Sequence, residues 1–194
     1  LDPIERCGIV GTLGHGFPGR LEPGRHTTPD ALELQAVLAE LRAAGAVSVA
    51  MEVSSHALDQ HRAAAVPFET AVLTNLTRDH LDYHGSMERY GEAKLRLFRT
   101  RGLRHAVINL DDPFGRRVLE ALDPGTEAVV YGLDAEPDAS ARALGFVRAC
   151  AVRTARAGLD LELDTSWGRA RLRSRLLGRF NASNLLAVLA VLLL

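Results

Sequence analysis

Four short, almost wholly apolar runs, separated by helical patterns, constrain this chain most. They are Val47–Val53, Thr70–Thr74, His105–Leu110 and Ala128–Tyr131. Runs of this length, rich in Val, Ile and Ala, read as strands buried on both faces. Met87–Phe98 and Pro113–Leu122 lie between strands and have helical spacing. Buried strands alternating with helices predict an α/β fold: a mostly parallel sheet flanked by helices, joined by right-handed crossovers. Upstream, Cys7–Thr12 (CGIVGT) reads as another short strand, running into a glycine-rich loop over Gly14–Gly24. A helix follows, with Thr28 as N-cap, Pro29 at its first position and Asp30 in its first turn. Leu34, Val37, Leu38 and Leu41 form its apolar stripe, and Gly45 is its stop.

The second half reads differently. Leu159–Asp164 alternates apolar with acidic residues, and Arg169–Leu176 largely alternates arginine with small or apolar ones. Pairing across Thr165–Gly168 sets Asp164 opposite Arg169, Glu162 opposite Arg171 and Asp160 opposite Arg173, an antiparallel hairpin within 159–177. Those acidic partners count against reading the arginines as a nucleic-acid stripe. So does a formal net charge of −1. Residues 133–145, rich in Ala, Asp and Glu, are expected to be loop. The apolar stretch Leu185–Leu194 is far short of the ~20 residues that cross a bilayer. It reads as a buried helix without a terminating cap, so the chain is expected to be part of a longer one. Two cysteines exclude a disulfide scaffold. With no secretory signal, they fit a cytoplasmic protein.

Ligands of open parallel sheets bind beyond the carboxyl ends of strands. Glu52, Ser54, Ser55 and His56 follow one strand; Asn75, Thr77, Arg78, Asp79, His80 and Asp82 follow another; Asn109, Asp111 and Asp112 follow a third. Glu52 ends an apolar strand, where a carboxylate is costly unless paired or bound to metal. Oxygen ligands with an imidazole suit Mg2+, completed by phosphates. His84 is expected to be a surface histidine, and the same reading is open for His61. Of 23 basic residues, 22 are arginine; Lys94 is the one lysine. Arginine cannot supply a neutral nucleophilic nitrogen, so Lys94 is a candidate for chemistry that needs an amine. The pattern Gly8-x-x-Gly11-x-x-Gly14 has no following lysine and is not a Walker-type loop.

Several strings occur in order: His26-Thr27-Thr28-Pro29-Asp30, Met51-Glu52-Val53-Ser54-Ser55-His56-Ala57-Leu58, Thr74-Asn75-Leu76-Thr77-Arg78-Asp79-His80-Leu81-Asp82-Tyr83-His84-Gly85, Glu92-Ala93-Lys94 and Gly178-Arg179-Phe180-Asn181-Ala182-Ser183-Asn184. From about residue 8 to the end, the chain resembles the ATP-dependent Mur ligases of peptidoglycan synthesis, and the MurE type most. The resemblance implies the central ATPase domain of an acid–amino-acid ligase. Such an enzyme phosphorylates the D-glutamate carboxylate of UDP-N-acetylmuramoyl-L-alanyl-D-glutamate and lets a diamino acid, meso-diaminopimelate or L-lysine, attack the acyl phosphate. By the same resemblance Thr27, Thr28, Ser54, Gln60 and Arg62 hold the nucleotide dipeptide. Glu52 and His80 ligate Mg2+, and Lys94 joins them as a carbamylated lysine. Asn75, Asn181 and Asn184 serve ATP, the last two at adenine. Neither nucleic acid nor membrane insertion is implied, and the full-length enzyme is expected to be a monomer.

The family's G-T-N-G-K-T-T phosphate loop, its N-terminal UDP-binding domain and its C-terminal domain have no counterpart in this chain. The isolated chain is therefore expected to be inactive. Two other readings compete: a non-catalytic, truncated paralogue that binds the muramyl nucleotide, and a folylpolyglutamate-synthase-like ligase.

Overall fold

The computed structural model describes residues 6–134 and 143–194. The chain divides into two compact units, Leu1–Val66 with Glu88–Arg96, and Pro67–Met87 with Leu97–Leu194.

The first unit holds a four-stranded sheet of β1 (Cys7–Gly11), β2 (Gly14–Phe17), β3 (Arg20–Glu22) and β4 (Ser48–Met51), in the order β3-β2-β1-β4. β1 runs parallel to β4, with Cys7 beside Ser48 and Val10 beside Met51, and antiparallel to β2. The expected glycine-rich loop is thus two strands. Its glycines permit close backbone approach: a Cβ on Gly14, at φ +116°, would lie 2.1 Å from the Glu22 carbonyl oxygen. β4 is shorter and less buried than expected, with Ser48 and Ala50 exposed. It pairs with β1 along one edge, so only part of it is covered.

Helix α1 (Ala31–Ala43) buries Leu34, Val37 and Leu41 as its stripe predicts. Gly45, at φ +95°, lies just past its end. Its N-cap is Asp30, not Thr28. The Asp30 carboxylate accepts from Leu32 N at 3.0 Å and Glu33 N at 2.9 Å. A carboxylate capping the positive end of a helix adds charge stabilisation that a hydroxyl lacks, and Thr28 is left for another task. Short α2 (Ser55–Asp59) follows β4.

The second unit holds β5 (Thr70–Leu73), α3 (Leu81–His84), β6 (His105–Asn109), α5 (Pro113–Ala121), β7 (Glu127–Gly132), β8 (Ala143–Ala155), β9 (Gly158–Thr165), β10 (Gly168–Ser174) and α6 (Arg179–Leu192). Helix α4 (Met87–Phe98) has residues 88–96 in the first unit and its ends in the second. The sheet order is β10-β9-β8-β7-β6-β5. β5 to β8 are parallel, while β8, β9 and β10 are antiparallel. The mostly parallel α/β architecture with an antiparallel hairpin is as the sequence predicts.

Three details differ in this unit. Of the expected loop 133–145, residues 143–145 begin β8; residues 135–142 lie outside the described residues. β8 was hidden in the sequence because its register shifts between Ala149 and Ala151, which breaks the period of two. α6 begins at Arg179 rather than near Leu185, and it is buried along one face only. Ala182, Leu186, Ala187 and Ala190 pack on Val107, Val129, Val147 and Leu161, whereas Phe180, Val188 and Leu192 are exposed. His84 is 6% exposed, not on the surface, with the Tyr83 ring edge-on at 4.8 Å. His61 is exposed. No helix among the described residues is long and apolar enough to cross a membrane.

The hairpin register is the expected one: Asp164 opposite Arg169, Glu162 opposite Arg171, Asp160 opposite Arg173. Its ion pairs are redistributed by β8. Glu162 pairs with Arg153 at 2.7 Å and Asp164 with Arg148 at 3.2 Å, while Arg171 reaches diagonally to Asp160. That hydrogen bond from Arg171 holds the Asp160 carboxyl below its usual range.

Candidate active site

In the first unit the site begins where β1 and β4 end together. Glu52 N donates to Val10 O at 2.8 Å, extending the strand pairing and setting the side chain beside Gly11 and Thr12. The Glu52 Oε2 atom accepts from Thr12 N at 3.1 Å and Thr12 Oγ1 at 2.9 Å. Thr12 Oγ1 lies 3.0 Å from Thr27 Oγ1. A hydroxyl has one proton, and that of Thr12 goes to Glu52, so Thr27 is the donor in the second bond. A carboxylate buried at the end of an apolar strand would need compensation. Instead Glu52 is exposed, because it lies one residue past β4, and hydroxyl and amide donors orient it.

Thr28, 1% exposed, joins this corner to α2. Its hydroxyl donates to Glu52 O at 2.8 Å and accepts from Ser54 N at 3.0 Å. Ser54 caps α2, its Oγ accepting from Ala57 N at 3.2 Å. Beyond α2, Arg62 turns back: Nη1 donates to Thr28 O at 3.0 Å, while Nε and Nη2 donate to Gln60 Oε1 at 2.9 and 2.5 Å. Thr27, Thr28, Ser54, Gln60, Arg62 and Glu52 thus belong to one hydrogen-bonded web, together with Thr12.

Lys94 belongs to the same unit. It is half-buried on α4, with Nζ 5.4 Å from the centroid of the buried Tyr90 ring. One turn of spacing, i to i+4, makes that contact possible. Arg96 fixes this helix: Nη1 donates to Leu58 O and Asp59 O at 3.2 and 3.1 Å, and Nη2 pairs with the Asp59 carboxylate at 3.1 Å. Thr12, Tyr90 and Arg96 are the residues missed by sequence reasoning. Thr12 was findable, since the strand-end rule applies to β1 as much as to the later strands.

The second unit carries the remaining predicted residues. His80 is exposed, at φ +51° before α3, with its Nε2 3.5 Å from Asp79 Oδ2. Asn75 lies exposed after β5, and Asn184 exposed on α6. Asn181 Nδ2 donates to Leu177 O at 2.8 Å. The expected cluster after β6 has a structural task instead. Asn109 donates to Thr74 O at 2.7 Å. Asp112 accepts from Phe114 N at 2.8 Å, capping α5, and from Leu76 N at 2.6 Å. Asp111 accepts from Leu133 N and Asp134 N at 2.7 and 2.9 Å. Short polar side chains after strands were chosen here to satisfy neighbouring backbone. Buried Tyr131 donates its hydroxyl to Leu73 O at 3.1 Å. Burial pushes its ionisation well above the usual tyrosine range. Arg179 pairs with Asp134.

Among the described residues no group of three or more His, Cys, Asp and Glu could hold a metal ion. Mg2+ is commonly bound by one or two carboxylates plus substrate phosphates. An exposed, oriented carboxylate such as Glu52 fits that requirement.

Residues 4–192 match the Mur ligase middle domain. The chain is 58% identical over 189 residues to the UDP-N-acetylmuramoyl-L-alanyl-D-glutamate--2,6-diaminopimelate ligase of Alkalilimnicola ehrlichii, and 58% identical to that of Pseudomonas aeruginosa. Each match covers 97% of the chain and 37% of the relative. A solved structure of a UDP-N-acetylmuramoyl-L-alanyl-D-glutamate--2,6-diaminopimelate ligase superposes with a TM-score of 0.85 at 36% identity, covering 97% of this chain and 38% of that one. The chain thus spans little more than a third of the length of the relatives it matches. It belongs to the Mur ligase family, whose middle domain accounts for nearly its whole length.

Proposed function

We propose that this chain is the central part of an ATP-dependent ligase that adds 2,6-diaminopimelate to UDP-N-acetylmuramoyl-L-alanyl-D-glutamate in peptidoglycan synthesis. The observation that carries the reading is the single hydrogen-bonded web from Glu52 through Thr12, Thr27, Thr28 and Ser54 to Arg62 and Gln60. The names of the relatives at 58% identity favour diaminopimelate over lysine.

In this reading Thr27, Thr28, Ser54, Gln60 and Arg62 hold the nucleotide dipeptide. Arg62 is already pinned by Gln60 and the Thr28 carbonyl, so little ordering is left for binding. Asn75, Asn181 and Asn184 hold ATP. Glu52, His80 and Lys94, the last as its carbamate, are the residues that would hold Mg2+, which neutralises phosphate charge when bound. The γ-phosphoryl group passes to the D-glutamate carboxylate, giving an acyl phosphate and ADP. The amine of the diamino acid then attacks the acyl carbon, and phosphate leaves from the tetrahedral adduct. Catalysis of this kind rests on positioning and charge stabilisation. The complete enzyme would work in the cytoplasm, as a monomer.

The test is phosphate release and peptide formation by the complete protein, supplied with ATP, Mg2+, the nucleotide dipeptide and either diaminopimelate or lysine. Turnover with diaminopimelate, and none from the 194-residue chain alone, is expected. Tight nucleotide binding without phosphate release would instead support a non-catalytic module. Turnover with lysine alone would overturn the choice of amino acid.

A further inference from the structure

The outer face of the β8–β9–β10 region is a charge lattice of three columns. β9 supplies Asp160, Glu162 and Asp164. β8 flanks it with Arg148 and Arg153, and β10 with Arg169, Arg171 and Arg173. Five arginines therefore share three carboxylates, and the surplus lies on β10. There the side chains of Arg169 and Arg173 are 89% and 71% exposed. They stand 3.9 and 3.6 Å from the nearest acidic oxygen, the longest pairs in the lattice. β10 is also the terminal strand of its sheet, so its outer edge offers backbone donors and acceptors to an added strand. Just beyond it, Leu176 and Leu177 are exposed.

A second copy of β10 would not fit this edge. Antiparallel pairing centred on Arg171 sets Arg169 against Arg173, like charge opposite like. What fits is what β9 already presents to the other side of β10: an extended segment alternating acidic with apolar or β-branched residues. We infer that the β10 edge is a docking site for an extended acidic segment of a partner protein, added as a further strand. Main-chain hydrogen bonds supply the attachment, and Arg169, Arg171 and Arg173 select the charge.

The test uses the complete protein and a capped synthetic peptide of alternating threonine and glutamate, with a threonine–lysine peptide as control. Fluorescence anisotropy should show binding of the glutamate peptide only, weakening at least tenfold as salt is raised through physiological strength. Amide exchange should slow at 168–174. Arg169→Glu with Arg173→Glu changes two exposed side chains and should abolish binding while the melting temperature holds. Equal binding of the two peptides, binding that survives the double substitution, or protection confined to other segments would overturn the proposal. So would protection, without peptide, of the β10 amides that point away from β9, because the edge would then be taken by the rest of the protein's own chain.

Discussion

Thr28→Val isolates the hydroxyl on which the candidate site turns. Valine has the same shape, so no cavity forms. What is lost is one donor to Glu52 O and one acceptor for Ser54 N. An unsatisfied buried polar group costs ~1–3 kcal/mol. Both backbone partners here are only part-buried, so water can recover some of that cost and the low end applies to each. The sum is about 2–3 kcal/mol. Because Ser54 caps α2, the loss should appear first as local opening rather than global unfolding. At 1.4 kcal/mol per factor of ten, exchange of the Ser54 amide should accelerate about 30- to 150-fold. Thr28→Ser keeps the hydroxyl and loses one methyl, costing about 0.8 kcal/mol. Hydrogen exchange followed by NMR or mass spectrometry reads both variants. If Thr28→Val exchanges within threefold of the parent, or Thr28→Ser is equally impaired, the hydroxyl is not the link between the Glu52 corner and α2.

Three further outcomes are expected. Gly115→Ala places a Cβ 2.1 Å from Asn109 O, a clash with backbone that should destabilise by about 3 kcal/mol, the upper part of the usual overpacking range. Gly125→Ala, with nothing within 4 Å, should be near neutral, and urea unfolding compares the two. Lys94→Arg keeps a cation but removes the amine. Ligase turnover in the complete protein should be lost and should not survive without added short carboxylic acids; survival would remove the carbamate assignment. Tyr131 ionises less readily folded than unfolded, so its contribution to stability is complete below the unfolded tyrosine pKa of about 10 and falls as pH rises beyond it. Tyr131→Phe should flatten that alkaline limb of a stability–pH curve.

The parallel strands and the hairpin were legible because their burial or charge is written locally: short apolar runs in one case, acids facing arginines in the other. β2 and β3 were not legible, since glycines selected for close strand approach look the same as glycines of a loop. β8 was masked by its bulge, and the start of α1 by two competent capping residues two positions apart. Thr28 lost that competition to Asp30, and its hydroxyl now links Glu52 to Ser54. Glu52 was not legible as an exposed group, because an acid ending an apolar run reads as buried, whereas it lies one residue past β4.

The carboxylates of this chain show why Glu52 still stands apart. Asp160, Glu162 and Asp164 are neutralised by arginines of neighbouring strands. Asp30, Asp111 and Asp112 are consumed by backbone amides that need a cap or a brace. Glu52 is oriented through one oxygen by a threonine hydroxyl and amide, and among the described residues no cation is paired with it. Neutral donors fix its direction without cancelling its charge, where an arginine would do both. A hard divalent cation binds best to such a group, because it need not displace a competing cation or reorganise the side chain. The relay from Thr27 to Thr12 to Glu52 therefore fixes the direction of this carboxylate with neutral donors alone.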